Sequence, residues 1–220
     1  MNVETALSDA PYPGRGLIIF RTEGEGLCAV YWLTGRSAAS RSRLLVGDGP
    51  NLVVTNLLGV ANDPLRHYRA ARRDGLQHIV GNGDHVDTLA AELNDGAAPF
   101  DALRTLNPEP DPPLFTARIA AIVGGDTDHV FVGAARSVPL ASHTDHIAIN
   151  AERIDPEQGI LIATYSGDPE SPTVWAIPLW IDTAPTLPKQ LRAAWGALNP
   201  SFRVAIAGRA LSHSGSWIQP

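Results

Sequence analysis

The sequence is poor in cysteine and lysine, and it contains no long apolar run. Its single cysteine, Cys28, excludes an internal disulfide framework, and no Cys or His spacing of the zinc-finger type is present. No apolar run approaches the roughly 20 residues of a membrane-spanning helix. Residues 1–16 also lack the basic start and apolar core of a signal peptide. These absences lead us to expect a soluble cytoplasmic protein without a membrane partner.

Basic charge is also scarce. The formal net charge is −6 at pH 7, whereas generic nucleic-acid binding depends on a dense cationic surface. We therefore expect no nucleic-acid partner. Lys189 is the single lysine, and arginine supplies the other positive charges. A genome-wide preference for arginine accounts for that bias, but not for the local clustering of arginines at residues 36–43.

The chain is long enough to form a stable domain without covalent cross-links. Its 220 residues can bury a sizeable core, and no linker-like stretch divides them. We therefore predict one domain over residues 1–220. Residues 212–220 are predicted to form a tail that is disordered or faces a partner.

The pattern of apolar residues predicts an α+β fold. Short apolar runs joined by glycine turns predict two β-hairpins, and a helical period begins at Asp84, with a second helix opening at Pro99. Segment 62–73, around Tyr68, is predicted to be irregular and to suit a cleft or the surface. A late helix is predicted at 187–198. The predicted strands are 17–20, 27–33, 44–46, 52–56, 77–80, 118–123, 129–134, 159–165, 174–180 and 202–207. This order predicts helices packed on largely antiparallel sheets.

An arginine–serine segment follows the apolar run 27–33. Residues 36–43 hold three arginines and three serines. Guanidinium groups beside hydroxyls and backbone amides can bind a phosphate or carboxylate in bidentate fashion. A solvated basic turn accounts for the same pattern equally well.

Three further stretches have both a functional and an ordinary interpretation. Asn82-Gly83-Asp84 is a strong tight-turn signal, but it also joins a strand end to a helix start, where small ligands bind. Tyr68 is either a core tyrosine or a hydrogen-bond donor to a developing oxyanion. Glu109 and Asp111 lie in a proline-stiffened loop. Either they serve as general bases or they only make the loop more soluble.

Clusters of Asp and His could in principle hold a metal ion, although the spacing is unfavourable. Zinc and manganese sites usually have two ligands one helical turn apart and a third from elsewhere. His143 and His146 are three residues apart without a helical context, which favours a solvated turn. We therefore expect no metal, and we expect Cys28 to be an inert core thiol. The clusters are Asp84, His85 and Asp87; Asp126, Asp128 and His129; and His143, Asp145 and His146.

Four stretches in order resemble the archaeal-type IMP cyclohydrolase family and its bacterial relatives. They are residues 12–16, 30–43, 81–89 and 109–119, so the resemblance covers about residues 12–135. The resemblance implies closure of FAICAR to IMP with loss of water, without an organic cofactor. It also implies the four-layered αββα fold of N-terminal-nucleophile hydrolases. The amino-terminal nucleophile of those hydrolases is missing here, because the chain starts Met1-Asn2-Val3.

The resemblance also implies residue roles. Arg36, Arg41 and Arg43, with Ser37, would bind the 5′-phosphate, and Tyr68 would be the acid or donor toward the formyl oxygen. Glu109 matches the family's carboxylate, with Asp111 as the alternative. The residues implied to hold the base and ribose are Asn82, Asp84, Thr116 and Arg118.

Some features leave other interpretations open. Ala117 stands where the family commonly has proline, and motif matches are few after residue 140. A diverged relative acting on another nucleotide-like amide is one alternative. A non-catalytic nucleotide-binding module is another. We also expect a homo-oligomer.

Overall fold

The computed structural model describes residues 1–8, 10–57, 63–124, 128–138, 143–211 and 215–220. It contains five helices and fourteen strands within these ranges. The helices are α1 (Val3–Ser8), α2 (Ala38–Arg41), α3 (His85–Asn94), α4 (Pro99–Arg104) and α5 (Leu187–Ala197). The strands of the first half are β1 (Arg15–Thr22), β2 (Gly26–Thr34), β3 (Arg43–Asp48), β4 (Asn51–Asn56), β5 (Tyr68–Asp74) and β6 (Gln77–Gly81). Those of the second half are β7 (Arg118–Val123), β8 (Val130–Ser137), β9 (Thr144–Ala151), β10 (Gln158–Ala163), β11 (Tyr165–Ser166), β12 (Thr173–Val174), β13 (Leu179–Asp182) and β14 (Arg203–Ala210).

Two antiparallel sheets dominate the fold. One has the strand order β13-β10-β1-β2-β14, and the other runs β3-β4-β5-β6-β7-β8-β9. Both predicted hairpins are present, as the β1–β2 and β3–β4 pairs. A small third pair joins β11 to β12. The α+β class predicted from the sequence is therefore confirmed.

Apolar side chains pack in three clusters that fix the layers. The largest lies between the two sheets and includes Ile19, Tyr31 and Ile119. A second cluster packs α1 and α5 on the five-stranded sheet, and a third packs α3 and α4 on the seven-stranded sheet. Each sheet thus buries one face against the other sheet and one face under helices. No helix among the described residues is both long and apolar enough to span a membrane.

Two predictions of local structure were wrong. Segment 62–73 was predicted to be irregular, yet β5 occupies Tyr68–Asp74, and Asn62 lies outside the described residues. The arginines of β5 give this strand the polar composition of a loop. In the structure, Arg69 and Arg72 pair with Asp87 of α3. Residues 174–180 were predicted to be one strand, but β12 and β13 are separate. Pro178 between them has no backbone N–H to donate.

Strand β9 was not predicted at all. Its apolar and polar residues alternate poorly. Six of its eight residues are half-buried, one is exposed and one is buried. It forms one edge of the seven-stranded sheet, paired along its whole length with β8. His143, Asp145 and His146 were interpreted as a turn, whereas Asp145 and His146 lie in this strand.

The end of the chain also differs from the prediction. Residues 215–220 lie against the body of the protein instead of forming a disordered or partner-facing tail. Ile218 forms a bridge with Gly208, and the indole of Trp217 is buried and donates to the Pro50 carbonyl at 3.1 Å. Burial of one indole and the backbone bridge fix this segment. Residues 212–214 of the predicted tail lie outside the described residues.

Candidate active site

A buried ion pair between Arg15 and Glu109 lies at the centre of the candidate site. Arg15 Nη2 donates to Glu109 Oε2 at 2.6 Å, and Arg15 Nη1 donates to the Asn82 carbonyl at 2.8 Å. Burial lowers the pKa of Arg15, but the Glu109 carboxylate and the Tyr68 and Tyr31 phenols together raise that pKa above its usual range. Burial raises the pKa of Glu109, and Arg15 opposes that shift. Arg15 stays protonated, and its positive charge favours the ionised form of Glu109.

The turn before β1 places Arg15. Gly14 has a φ of +71°, and a Cβ on it would lie 2.2 Å from Thr164 Oγ1. Glycine therefore permits both the turn and the close approach to the strand end at Thr164. The Arg15 amide donates to the same Thr164 hydroxyl at 3.2 Å. This contact holds the start of β1 against the stretch that leads into Tyr165.

Three polar side chains beside Glu109 are linked by hydrogen bonds: Asp111 and Thr116 of the loop that follows Glu109, and Tyr165 of β11. The Thr116 amide donates to Asp111 Oδ1 at 2.7 Å, and the Thr116 hydroxyl donates to Asp111 Oδ2. The Tyr165 hydroxyl contacts the same Thr116 oxygen, and it must act as the donor there because the Thr116 proton is already given to Asp111. The Glu109 amide donates to the Thr116 carbonyl at 2.8 Å. The chain therefore runs from Tyr165 through Thr116 to Asp111, beside Glu109.

Tyr68 pairs with a second buried tyrosine. Its hydroxyl lies 2.9 Å from that of Tyr31, and both side chains are buried between the sheets. Burial raises the pKa of Tyr31, and the neighbouring Tyr68 adds to that effect. Tyr31 therefore keeps its proton and can donate it to Tyr68, which leaves the Tyr68 O–H for another acceptor.

A polar cavity of about 170 Å³ opens beside the ion pair. We call it the Arg15 cavity. Five lining residues are among those predicted from the sequence: Ser37, Arg43, Glu109, Asp111 and Thr116. The other lining residues are Tyr12, Gly14, Arg15, Thr34, Ser40, Leu65, Arg66 and Tyr165. Side chains far apart in the sequence therefore meet around one space.

The arginine–serine segment contributes less charge to the cavity than the sequence predicts. Arg43 lines it but donates from Nε and Nη2 to the carbonyls of Ser40 and Thr34, at 2.9 and 2.8 Å. Arg36 donates to the Pro169 carbonyl at 2.7 Å and stacks over the Tyr12 ring. Arg41 is exposed. Neither Arg36 nor Arg41 is among the described residues that line the cavity.

Ser37 has a structural task as well as a place in the cavity. It is the N-cap of α2, where its hydroxyl accepts from the Ser40 amide and the two serines form a reciprocal capping box. Such a box stabilises the start of a helix. It also holds two hydroxyl groups side by side at the cavity wall.

All four residues predicted to hold the base and ribose have partners within the protein, and of these four Thr116 alone lines the cavity. Asn82 is fully buried, and both ends of its side-chain amide bond the β7 side of the loop: Nδ2 donates to the Ala117 carbonyl and Oδ1 accepts from the Ile119 amide, each at 2.8 Å. Asp84 accepts from Arg118 Nη1 at 2.6 Å. Tyr68, Asn82, Asp84 and Arg118 do not line the cavity among the described residues.

Sequence reasoning missed Arg15, Tyr31, Tyr165, Ser40 and Arg66. Arg15 and Tyr31 lie within stretches that carried the family resemblance, and an arginine directly before an apolar strand was the available signal. Tyr165 lies in residues 163–168, which resemble the family only weakly, and the pairing of β1 with β10 brings it near Arg15.

Neither a metal site nor a reactive thiol emerges from the described residues. No group of three His, Cys, Asp or Glu side chains in those ranges is placed to hold a metal ion, and Asp126 of one predicted cluster lies outside them. Burial raises the pKa of Cys28 to about 12, so the thiol is protonated in the core.

The fold and the cavity define a two-sheet α+β protein with a polar, arginine-bearing pocket. The chain belongs to the family described as IMP cyclohydrolase-like protein, whose family model matches residues 12–209. The family resemblance is thus confirmed, and the match extends beyond residue 135. A relative from Haloquadratum walsbyi, named IMP cyclohydrolase, is 30% identical over 161 residues, which cover 71% of this chain and 72% of the relative.

Two further relatives carry the same name. One, from Halobacterium salinarum, is 30% identical over 144 residues, covering 64% of this chain and 68% of the relative. Another, from Methanothrix thermoacetophila, is 26% identical over 158 residues, covering 70% of this chain and 74% of the relative.

Proposed function

We propose that this protein is an IMP cyclohydrolase that closes FAICAR to IMP with loss of water. The observation that carries this proposal is that three of the four family-like stretches, 12–16, 30–43 and 109–119, meet around the Arg15 cavity. The proposal also rests on the name shared by the relatives. We further infer that the two sheets with their outer helices form the αββα layers of the N-terminal-nucleophile hydrolases.

The 5′-phosphate would bind at the side of the cavity where Ser37, Ser40 and Arg66 lie. Arg66 is half-exposed, with its Nε 3.2 Å from Asp63. An exposed pair of this kind is weak, so the guanidinium can turn to a phosphate at little cost. Arg43 supports this wall through its backbone contacts. Arg36 and Arg41, predicted from the sequence to bind the phosphate, do not line the cavity among the described residues and are not part of this proposed phosphate site.

The reacting groups would lie toward the ion pair. A carboxamide nitrogen is a poor nucleophile, so holding it against the formyl carbon supplies much of the rate. Glu109 would take the proton from that nitrogen, since a carboxylate oxygen that accepts from Arg15 still has a second lone pair. The family resemblance assigns the donation to the formyl oxygen to Tyr68, with Tyr31 donating to Tyr68 in turn. Tyr68 does not line the cavity among the described residues, so this role requires the substrate to reach beyond that space. Both Asp111 oxygens accept from Thr116, whereas only Oε2 of Glu109 accepts from a described residue, which favours Glu109 over Asp111 as the base.

The test is turnover of FAICAR by the purified protein, followed by the absorbance of IMP. We expect a rate that rises in proportion to enzyme concentration, and a Glu109→Gln variant that folds but turns over at least about a hundredfold more slowly. No turnover above background at high enzyme concentration overturns the proposal. Tight IMP binding without turnover would instead favour a nucleotide-binding module.

A further inference from the structure

Two buried polar atoms lie close to the position that a side chain would take on Gly83. A Cβ built on that glycine would lie 3.1 Å from His85 Nδ1 and 3.2 Å from Glu109 Oε1. Both side chains are almost fully buried, His85 at 0% and Glu109 at 2% exposure. Neither atom has a hydrogen-bond partner among the described residues. Such orphaned atoms are rare in native proteins and call for a partner.

Both atoms are acceptors. His85 Nε2 lies 3.0 Å from the Ile119 carbonyl, which can only accept, so Nε2 carries the ring proton and Nδ1 presents a lone pair. Burial and the Arg118 cation lower the pKa of His85 to about 3, so the ring is neutral near pH 7. The Arg15 cation beside Glu109 favours the ionised carboxylate, in which Oε1 also accepts.

Two acceptors that face the same point need a donor between them, and a water molecule has two O–H groups to give. Internal waters occupy polar sites of this kind. We propose that one internal water beside Gly83 donates to both His85 Nδ1 and Glu109 Oε1. His85 is then a positioning residue, because it anchors one carboxylate oxygen through this water while Arg15 anchors the other. Its kinetic consequence rests on the proposed function, but the water itself does not.

Two substitutions of His85 separate this role from a purely structural one. The amide of Asn reaches about as far as Nδ1, whereas that of Gln reaches about as far as Nε2. We expect His85→Gln, which keeps the donor to Ile119, to lower kcat roughly tenfold with KM little changed. His85→Asn, which keeps an acceptor near Nδ1, is expected to retain more of the wild-type kcat. The reverse order overturns the proposal, since it would mean that only the bond to Ile119 matters.

A glycine pair provides the matched control. Gly83→Ala places a methyl carbon 3.1 Å from His85 Nδ1 and 3.2 Å from Glu109 Oε1, so it crowds a water that bonds both atoms. The Gly83 backbone does not have the positive φ that requires glycine. We expect a loss in kcat similar to that of His85→Gln. Gly24→Ala meets no atom within 4 Å and should leave kcat unchanged. Equal rates for the two alanine variants contradict the proposal.

A high-resolution crystal structure of the whole wild-type protein decides the matter even without activity. The expected result is a density peak within hydrogen-bond distance of both atoms, absent in the Gly83→Ala structure. A direct contact between Glu109 and His85, or an empty site, overturns the proposal. A peak without any FAICAR turnover would refute the proposed function and leave the water site standing.

Discussion

Arg15 and Glu109 form a buried ion pair at 2.6 Å that ties three distant stretches together. Arg15 opens β1, Glu109 begins the proline-stiffened loop, and the second guanidinium nitrogen of Arg15 donates to the carbonyl of Asn82. Desolvation makes such a pair costly to form and more costly to break. The pair therefore orients the Glu109 carboxylate at the cavity. Loss of either partner should also lower the stability of the folded protein.

Arg15→Ala should destabilise the protein by about 3–5 kcal/mol, because it leaves the Glu109 carboxylate buried without its counter-charge. Urea denaturation would measure the change. Arg153→Ala is the control, since the Arg153–Asp155 pair is exposed and should contribute less than about 1 kcal/mol. Arg15→Met combined with Glu109→Gln should recover much of the loss. Equal effects of Arg15→Ala and Arg153→Ala would contradict the prediction.

Tyr68→Phe should lower kcat by about two orders of magnitude while substrate affinity is retained, because one donor to a developing oxyanion is lost. Tyr31→Phe should have a smaller effect, since it removes only the donor to Tyr68. Steady-state kinetics with FAICAR and an IMP binding measurement would separate kcat from affinity. An unchanged kcat in Tyr68→Phe would remove Tyr68 from the mechanism.

Arg66→Ala should raise KM for FAICAR about tenfold or more, because a charge-assisted bond to the phosphate is lost. Arg41→Ala is the matched comparison: Arg41 was predicted from the sequence to bind phosphate, but it does not line the cavity. It should leave KM within about twofold, as expected for an exposed charge. A larger effect at Arg41 than at Arg66 would restore the prediction made from the sequence.

His78 should make the fold sensitive to acid. Burial, with the Arg209 and Arg73 cations, lowers the pKa of His78 to about 4, whereas an unfolded histidine titrates near 6.5. As the pH falls from about 6.5 to about 4, the unfolded chain binds a proton that the native state refuses, so stability falls across that window. The His78→Gln variant should lose about 1–2 kcal/mol less than wild type between about pH 7 and about pH 5 in urea denaturation. Equal losses in the two proteins would show that His78 is not responsible.

The sequence by itself determined the regular elements whose signals are local. The β1–β2 hairpin follows from two apolar runs around a glycine turn, and α3 follows from a helical period that begins at Asp84. The family followed from four short stretches. Local signals failed at β5, where Arg69 and Arg72 find their partner on α3.

Only the tertiary structure decided which polar side chains share the site. Strand pairing brings Arg15 close to Glu109 and Tyr165 close to Thr116. The separation of these residues along the sequence does not reveal that their side chains are in contact. The tertiary structure also directed Arg36 to the Pro169 carbonyl. The composition of a loop shows that charged side chains are present. Their direction depends on which hydrogen-bond acceptors the folded chain places beside them.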